Sequence, residues 1–302
     1  MNTHKTSRNR TQREWLGMLA PCFLLLLLFN YIPMLGNIIA FKDFRLDLGI
    51  LASPWNGLEN FRQLFSGADF MAAVKNTIVI SVLRLGIGFW APIILALLLN
   101  EIRIKWFKRT IQTVTYLPYF FSWVILGGIF LMVFSLRGPA NMIVSLFGVD
   151  PITFLTNDRW FLALLIGSAI WQGVGYGAVI YLAALSGIPV QLYEAAAVDG
   201  AGHWQQMLKI TLPCLVPTMI VLFILSLGQI MSAGFDQVYN LYNPMVYDVA
   251  DIIDTYVLRR LQTMDFGLAT AAGLFKSVIG LTLVVGTNMI VRRMSNGERG
   301  VW

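Results

Sequence analysis

Six long apolar stretches divide this chain, near residues 16–40, 76–99, 111–134, 161–185, 215–235 and 267–291. Each reaches the roughly 20 residues a helix needs to cross a bilayer. None alternates apolar and polar positions as a barrel strand does, so helices are the spanning form. The pattern predicts an all-α membrane protein with six transmembrane helices, a single domain over 16–291 between a basic segment at 1–15 and a short tail at 292–302. The polar stretches between them are unequal. Those at 41–75 and 236–265 are long, and the first, with Trp55, Phe61, Phe65 and Phe70, suits short interfacial helices. Both are readable either as docking elements for another protein or as solvated loops.

Composition agrees with the pattern. The chain is 57% hydrophobic and 13% charged, too apolar for an ordinary soluble domain. Lys and Arg gather at alternate ends of the stretches, which sets orientation. With the N-terminus inside, the inner segments hold Lys5, Arg8, Arg10, Arg13, Arg103, Lys105, Lys108, Arg109, Lys209, Arg292, Arg293 and Arg299. Five acids accompany these twelve bases, while the outer segments hold eight bases and eleven acids. Both termini are thus expected in the cytoplasm, and the net charge of +6 reads as topology and attraction to anionic lipid rather than nucleic-acid binding. The first apolar run is too long for a signal sequence and reads as a retained span. Cys22 and Cys214 fall near cytoplasmic helix ends, where a disulfide is not expected. With His4 and His203 as the remaining soft ligands, there is no metal cluster.

The inner loop at 189–213 is the most patterned segment. Pro189 suits a first helical turn, residues 194–198 are Ala-rich and helix-forming, and Gly200 suits a left-handed helix end. A second helical turn or two is expected over 203–210, with Pro213 stopping it and Leu215 opening the next apolar run. Glu194 and Asp199 offer anionic contacts to a partner. Together Glu194-Ala195-Ala196, Gly200, Ile210 and Leu212-Pro213 make the EAA pattern: Glu-Ala-Ala, three residues, Gly, nine residues, Ile-x-Leu-Pro.

On these residues the chain resembles the permease subunits of binding-protein-dependent ABC importers. Leu117-Pro118, Gly138-Pro139-Ala140-Asn141, Phe235-Asp236, Asn243-Pro244, Asp254-Thr255-Tyr256-Val257, the block from Asp265 to Ala271 and the tail Gly297-Glu298-Arg299 to Trp302 extend the likeness over 15–302. They are similar to the carbohydrate branch, with its LplB-type oligosaccharide permeases and maltose-type permeases. The resemblance implies a type I importer transmembrane domain, multi-pass in the bacterial plasma membrane. It implies a second permease, identical or different, two ATP-binding subunits seated on the EAA loop, and an extracellular solute-binding protein or lipoprotein that delivers an oligosaccharide. ATP with Mg²⁺ would bind the partner ATPase, no cofactor this chain. The chain itself has no G-x-x-x-x-G-K-[ST] loop and no nucleophile–base constellation, so no catalytic residue is expected.

For the substrate path, the stretch before the loop offers Trp171, Gln172, Gly173 and Tyr176. Aromatic faces stack on sugar rings, and Gln and Tyr give directional hydrogen bonds. Trp171, Gly173 and Tyr176 match the sugar contacts of maltose-type permeases, although packing between helices remains the alternative for both rings. The next span differs from that family, offering Leu227 and Met231 with Ser226 and Gln229 nearby. Two charges lie inside the stretches. Arg84 and Lys276 are eight and nine residues from the N-terminal ends of theirs, about 12–14 Å at 1.5 Å per residue. No Asp or Glu is expected at that depth. An acidic, uronate-containing sugar is one candidate counter-ion; an acid on the partner permease, backbone carbonyls, or snorkelling toward Asp236 or Asp265 are the others. The rival functions are an ABC permease for another solute such as peptides and an ATPase-independent secondary transporter, which would need coupling acids within its spans.

Overall fold

The structure is a computed structural model that describes residues 3–294, with side chains from 15 to 293. Lys5, Arg8, Arg10 and Arg13, and the tail Gly297-Glu298-Arg299 to Trp302, lie outside the described side chains. Helix α1 (Thr3–Leu26) runs on through a π turn at Leu27–Tyr31 and a 3-10 segment at Leu35–Phe41. There follow α2 (Glu59–Ser66), α3 (Ala68–Gly88), α4 (Trp90–Glu101), α5 (Lys105–Tyr116), α6 (Trp123–Val133), α7 (Pro139–Leu146) and α8 (Asp158–Ser186). The rest comprises α9 (Val190–Val198), α10 (His203–Gln206), α11 (Leu212–Gly228), α12 (Phe235–Leu241), α13 (Tyr247–Ala250), α14 (Ile253–Gln262) and α15 (Phe266–Met294). Among the described residues the sole strand-like pairing is an isolated bridge between Lys42 and Trp55.

Among the described residues five segments are long and apolar enough to cross a membrane: Trp15–Phe41, Ala68–Glu101, Asp158–Ser186, His203–Gly228 and Phe266–Arg293. The third expected span is broken. Lys105–Phe120 and Trp123–Val133 meet at 104°, where a straight helix over 111–134 was expected. Pro118 has no N–H to continue the α-helical ladder, although Leu117 before it stays helical (φ −53°, ψ −44°) and the chain turns extended only at Phe121 (ψ 137°). The 3-10 turn Leu117–Phe120 follows, and the Ser122 hydroxyl accepts from the Ile125 N–H to start α6.

The fifth span departs from expectation at both ends. Pro213 does not stop a helix; His203–Gly228 is continuous. A π turn at Met207–Thr211, closed by the Leu212 N–H on the Met207 carbonyl, widens the helix just before the proline that has no N–H to give. At the other end the helix stops at Gly228 rather than reaching residue 235. A 3-10 turn, Ile230–Ser232, leads to two consecutive left-handed residues, Ala233 (φ 45°) and Gly234 (φ 74°). Left-handed alanine is strained, so neighbouring groups must hold this break.

The chain divides into two compact units, Met1–Ser66 with Arg259–Leu274 and Gly67–Leu258 with Phe275–Trp302. In the first, Phe41 lies between the rings of Trp55 and Phe61. Lys42 donates to the carbonyls of Ile50 (2.7 Å) and Leu51 (2.9 Å), and Asn60 donates to those of Ala40 and Lys42. The segment 41–66 is therefore folded, with short helices as expected.

In the second unit one buried cluster joins Ile80, Phe161 and Leu165 to Val238, Leu241, Val246 and Ile252. Five of the eleven buried residues in this cluster come from 236–265, which is thus no solvated loop over 236–258. Burying each such side chain contributes about 1.5–3 kcal/mol relative to water. Thr255 accepts from the Ile252 N–H and donates to Asp251 at 2.6 Å, and Thr77 accepts from the Ile253 N–H. A second cluster packs Ile93 and Ala96 of α4 against Ala178, Tyr181 and Leu185 of α8 and Leu215 of α11.

Candidate functional site

Helix α8 carries two faces with different surroundings. Positions 169, 170, 173, 174, 176, 177, 180 and 181 recur at helical spacing and line a cavity of about 830 Å³. Its other walls are Arg84, Phe89 and Pro92 from α3 and α4, Tyr119 from the break, and Ser226, Gln229, Ala233 and Gly234 from the end of α11. Glycines permit this closeness. A Cβ at Gly175 would lie 2.0 Å from the Thr115 carbonyl oxygen, and one at Gly177 2.9 Å from the Pro92 ring. The first contact presses the broken span onto α8. That brings Tyr119 over Tyr176, with ring centroids 3.9 Å apart and planes 4° from parallel. Both rings remain well exposed on the cavity side, Tyr119 at 41% and Tyr176 at 46%.

Arg84 lines the same cavity. Its Nη1 donates to the Ala233 carbonyl at 2.6 Å, while Ser81, one turn earlier, donates to the Ile230 carbonyl. The two α3 side chains thus satisfy the carbonyls freed where α11 ends. Gly234 is required twice: its φ is left-handed, and a Cβ there would stand 1.4 Å from Arg84 Nη1. Because α3 begins at Ala68, Arg84 lies sixteen positions in, about 24 Å along the helix and near the middle of the apolar segment Ala68–Glu101. No acid is paired with it among the described residues.

Lys276 is arranged differently, and the expected lack of an acid at its depth does not hold. Its ammonium donates to both oxygens of Asp254, at 2.6 and 2.7 Å. Asp254 is on α14, in the stretch expected to be an outer loop; the helices formed there carry the carboxylate to Lys276. The lysine lines a separate hollow of about 400 Å³ with Gly228, Ser232 and Gln229. Gln229 is shared between that hollow and the main cavity.

The four residues singled out on α8 are likewise divided. Gly173 and Tyr176 line the main cavity, but Trp171 lines a hollow of about 580 Å³ on the other face, with Phe130, Phe134, Phe154 and Trp160. Its ring meets Phe130 edge-on at 5.8 Å. Gln172 borders neither. At 100° per residue, positions 171 and 173 point about 200° apart, so one surface cannot hold both. Leu227 of α11 and Met231 of the 3-10 turn after it are buried, while Ser226 of α11 and Gln229 just past its end face the cavity.

The EAA segment forms the helix–turn–helix its sequence predicts. Helix α9 carries Glu194, Ala195 and Ala196 and ends before Asp199; Gly200 is left-handed (φ 77°), and the Ala201 N–H bonds the Ala196 carbonyl at 2.8 Å. Gly202 then opens α10, with Gln205 accepting from its N–H at 3.1 Å. Tyr193 and Thr211 join the two arms at 2.9 Å. Ile210 lies in the π turn, and Leu212 and Pro213 begin α11. Glu194, Asp199 and Gly200 are exposed, as are Val198 (88%) and Trp204 (71%). The sequence reading missed Trp204, Tyr119 and Ser81, and gave Asp254 no role beyond its place in the Asp254-Thr255-Tyr256-Val257 block. Only Tyr119 carried a signal, its place beside the helix-breaking Leu117-Pro118.

A family described as binding-protein-dependent transport system inner membrane component matches residues 88–296. The polygalacturonan/rhamnogalacturonan transport system permease protein YteP of Bacillus subtilis (strain 168) is 43% identical, covering 94% of this chain and 89% of that protein. Protein LplB of the same organism is 41% identical over 93% of this chain and 89% of its own length. Among solved structures, a chain of a bacterial ABC transporter involved in the import of the acidic polysaccharide alginate superposes with a TM-score of 0.89 at 40% identity, covering 96% of this chain and 99% of that one. A chain of a bacterial alginate ABC transporter in complex with an alginate pentasaccharide-bound periplasmic protein superposes with the same TM-score, 0.89, at 40% identity, covering 97% of this chain and 99% of that one. This chain belongs to the inner-membrane components of binding-protein-dependent transport systems, and is a multi-pass permease of the type I ABC importer fold.

Proposed function

We propose that this permease forms half of the membrane path of an ATP-driven importer for acidic, uronate-containing oligosaccharides. A solute-binding protein delivers the sugar from outside. A second permease completes the path, and two ATPase subunits carrying ATP and Mg²⁺ dock on the EAA segment in the bacterial cytoplasm, where both termini also lie. Glu194, Ala195, Ala196, Asp199, Gly200, Ile210, Leu212 and Pro213 form and orient the coupling segment, and the exposed Val198 and Trp204 supply apolar contact to the ATPase.

Arg84 carries the substrate reading. It is a cation lining the large cavity, deep in a span, with a carbonyl but no acid as partner. An unpaired charge at such depth is costly and marks a path for an opposite charge. Tyr119 and Tyr176 offer aromatic faces, and Gln229 an amide, for the neutral parts of the sugar. The relatives that handle polygalacturonan, rhamnogalacturonan and alginate support the same reading.

The test is uptake into proteoliposomes holding the whole importer, comparing an oligogalacturonate with a neutral oligosaccharide of equal length. Loss of a charge-assisted hydrogen bond, about 1.5–3 kcal/mol, predicts a tenfold or greater fall in oligogalacturonate uptake for Arg84→Gln. Neutral-sugar uptake should change less than twofold, and Arg84→Lys should retain most acidic uptake. Equal loss for both sugars would leave Arg84 a purely structural cap on the Ala233 carbonyl.

A further inference from the structure

The EAA segment has a third attachment to the membrane helices. Along the chain it joins α8 through Gly187 and Pro189, and α11 through the π turn at Met207–Thr211. A body held at two joints can still swivel about the line between them. His203, first residue of α10, meets Glu101, last residue of α4, with Nε2 and Oε2 2.5 Å apart. Among the described residues this is the polar side-chain contact that ties the segment to a helix not adjacent to it in sequence. The ring Nε2–H donates to the carboxylate oxygen.

Helix α4 is suited to relay what it receives. Ile93 and Ala96 are buried against α8 and α11, and Pro92, which lines the main cavity, sits against Gly177. Pro92 and Glu101 are nine positions apart, about 13–14 Å on one rigid rod. We infer that Glu101 and His203 are a positioning pair, fixing the EAA segment to α4 so that its movement reaches the cavity wall by a route separate from α8 and α11.

This inference rests on the coupling role proposed for the EAA segment. The experiment measures oligogalacturonate imported per ATP hydrolysed by the complete importer in proteoliposomes, for Glu101→Gln, His203→Ala, His203→Lys and the swap Glu101→His with His203→Glu. The two disrupting variants should import about twofold to fivefold less sugar per ATP, the factor an exposed ion pair's free energy converts to. Hydrolysis and subunit assembly should persist, since both side chains are largely exposed. His203→Lys, which still donates to the carboxylate, and the swap should restore the ratio. An unchanged ratio in both disrupting variants, or a swap no better than the worse of them, would overturn the pair's role. Import by the wild-type complex without ATP consumption would instead overturn the coupling reading, and this inference with it.

Discussion

Two glycines on α8, two residues apart, separate packing from transport. A Cβ at Gly175 would fall 2.0 Å from the Thr115 oxygen and 2.4 Å from its carbon, whereas a Cβ at Gly173 meets nothing within 4 Å. Contact between helices in a membrane depends on close approach of small residues, and forcing a methyl into backbone costs about 1–3 kcal/mol or more. Gly175→Ala should lower the thermal midpoint of the detergent-solubilised permease and loosen the Tyr119–Tyr176 stack with it. Gly173→Ala should leave the midpoint unchanged and reduce transport by narrowing the cavity. A scan of both variants beside an uptake assay decides this; an unaltered midpoint for Gly175→Ala would mean that the broken span does not rest on α8 as described. The sequence shows a glycine-rich run here but not which glycine does what, because that depends on the backbone of a segment some sixty residues away.

At the level of elements, the apolar pattern located the spans and the EAA spacing located the helix–turn–helix, since both are local signals. Two features were not legible. One was the angle of the break in the third span, 104°: Leu117-Pro118 marks where the helix weakens, but an apolar run reads alike whether it then crosses a bilayer or turns within it. The other was the folding of 236–258 into helices, whose stability comes from side chains as distant as Ile80 and Phe161. That second feature also changes the meaning of Lys276. Held by Asp254 at 2.6 Å, with both side chains mostly buried (24% and 21% exposed), it acts as a strut between α14 and α15. Lys276→Met strands a carboxylate and should destabilise the permease by about 1–3 kcal/mol; adding Asp254→Asn should recover most of the loss. Thermal unfolding of the single and double variants measures the coupling. Uptake of acidic and neutral sugars should fall together in Lys276→Met, in contrast to Arg84→Gln. A selective loss of acidic uptake would return Lys276 to the substrate path.

For the whole molecule, the charge bias and the helix order make one connected claim about sidedness. If the basic segments 100–110 and 186–214 face the cytoplasm, then α9, α10 and the Glu101 end of α4 share that side, while α7 and the turn before α8 face outward. Exposed positions on each face permit a direct check: Val198 and Trp204 on one, Leu146 and Phe147 on the other, all at least 71% exposed. Single cysteines placed there, with Cys22 and Cys214 replaced by serine, should separate into two classes toward a membrane-impermeant maleimide. Cysteines at 146 and 147 should label in intact cells. Those at 198 and 204 should label only in inverted vesicles, and less when the ATPase subunits are bound, because the apolar face they occupy is then covered. Labelling at 198 from outside would reverse the orientation and remove the ATPase from reach of the EAA segment. Labelling at 198 from inside with no protection by the ATPase would keep the topology and move the docking surface elsewhere on the cytoplasmic face.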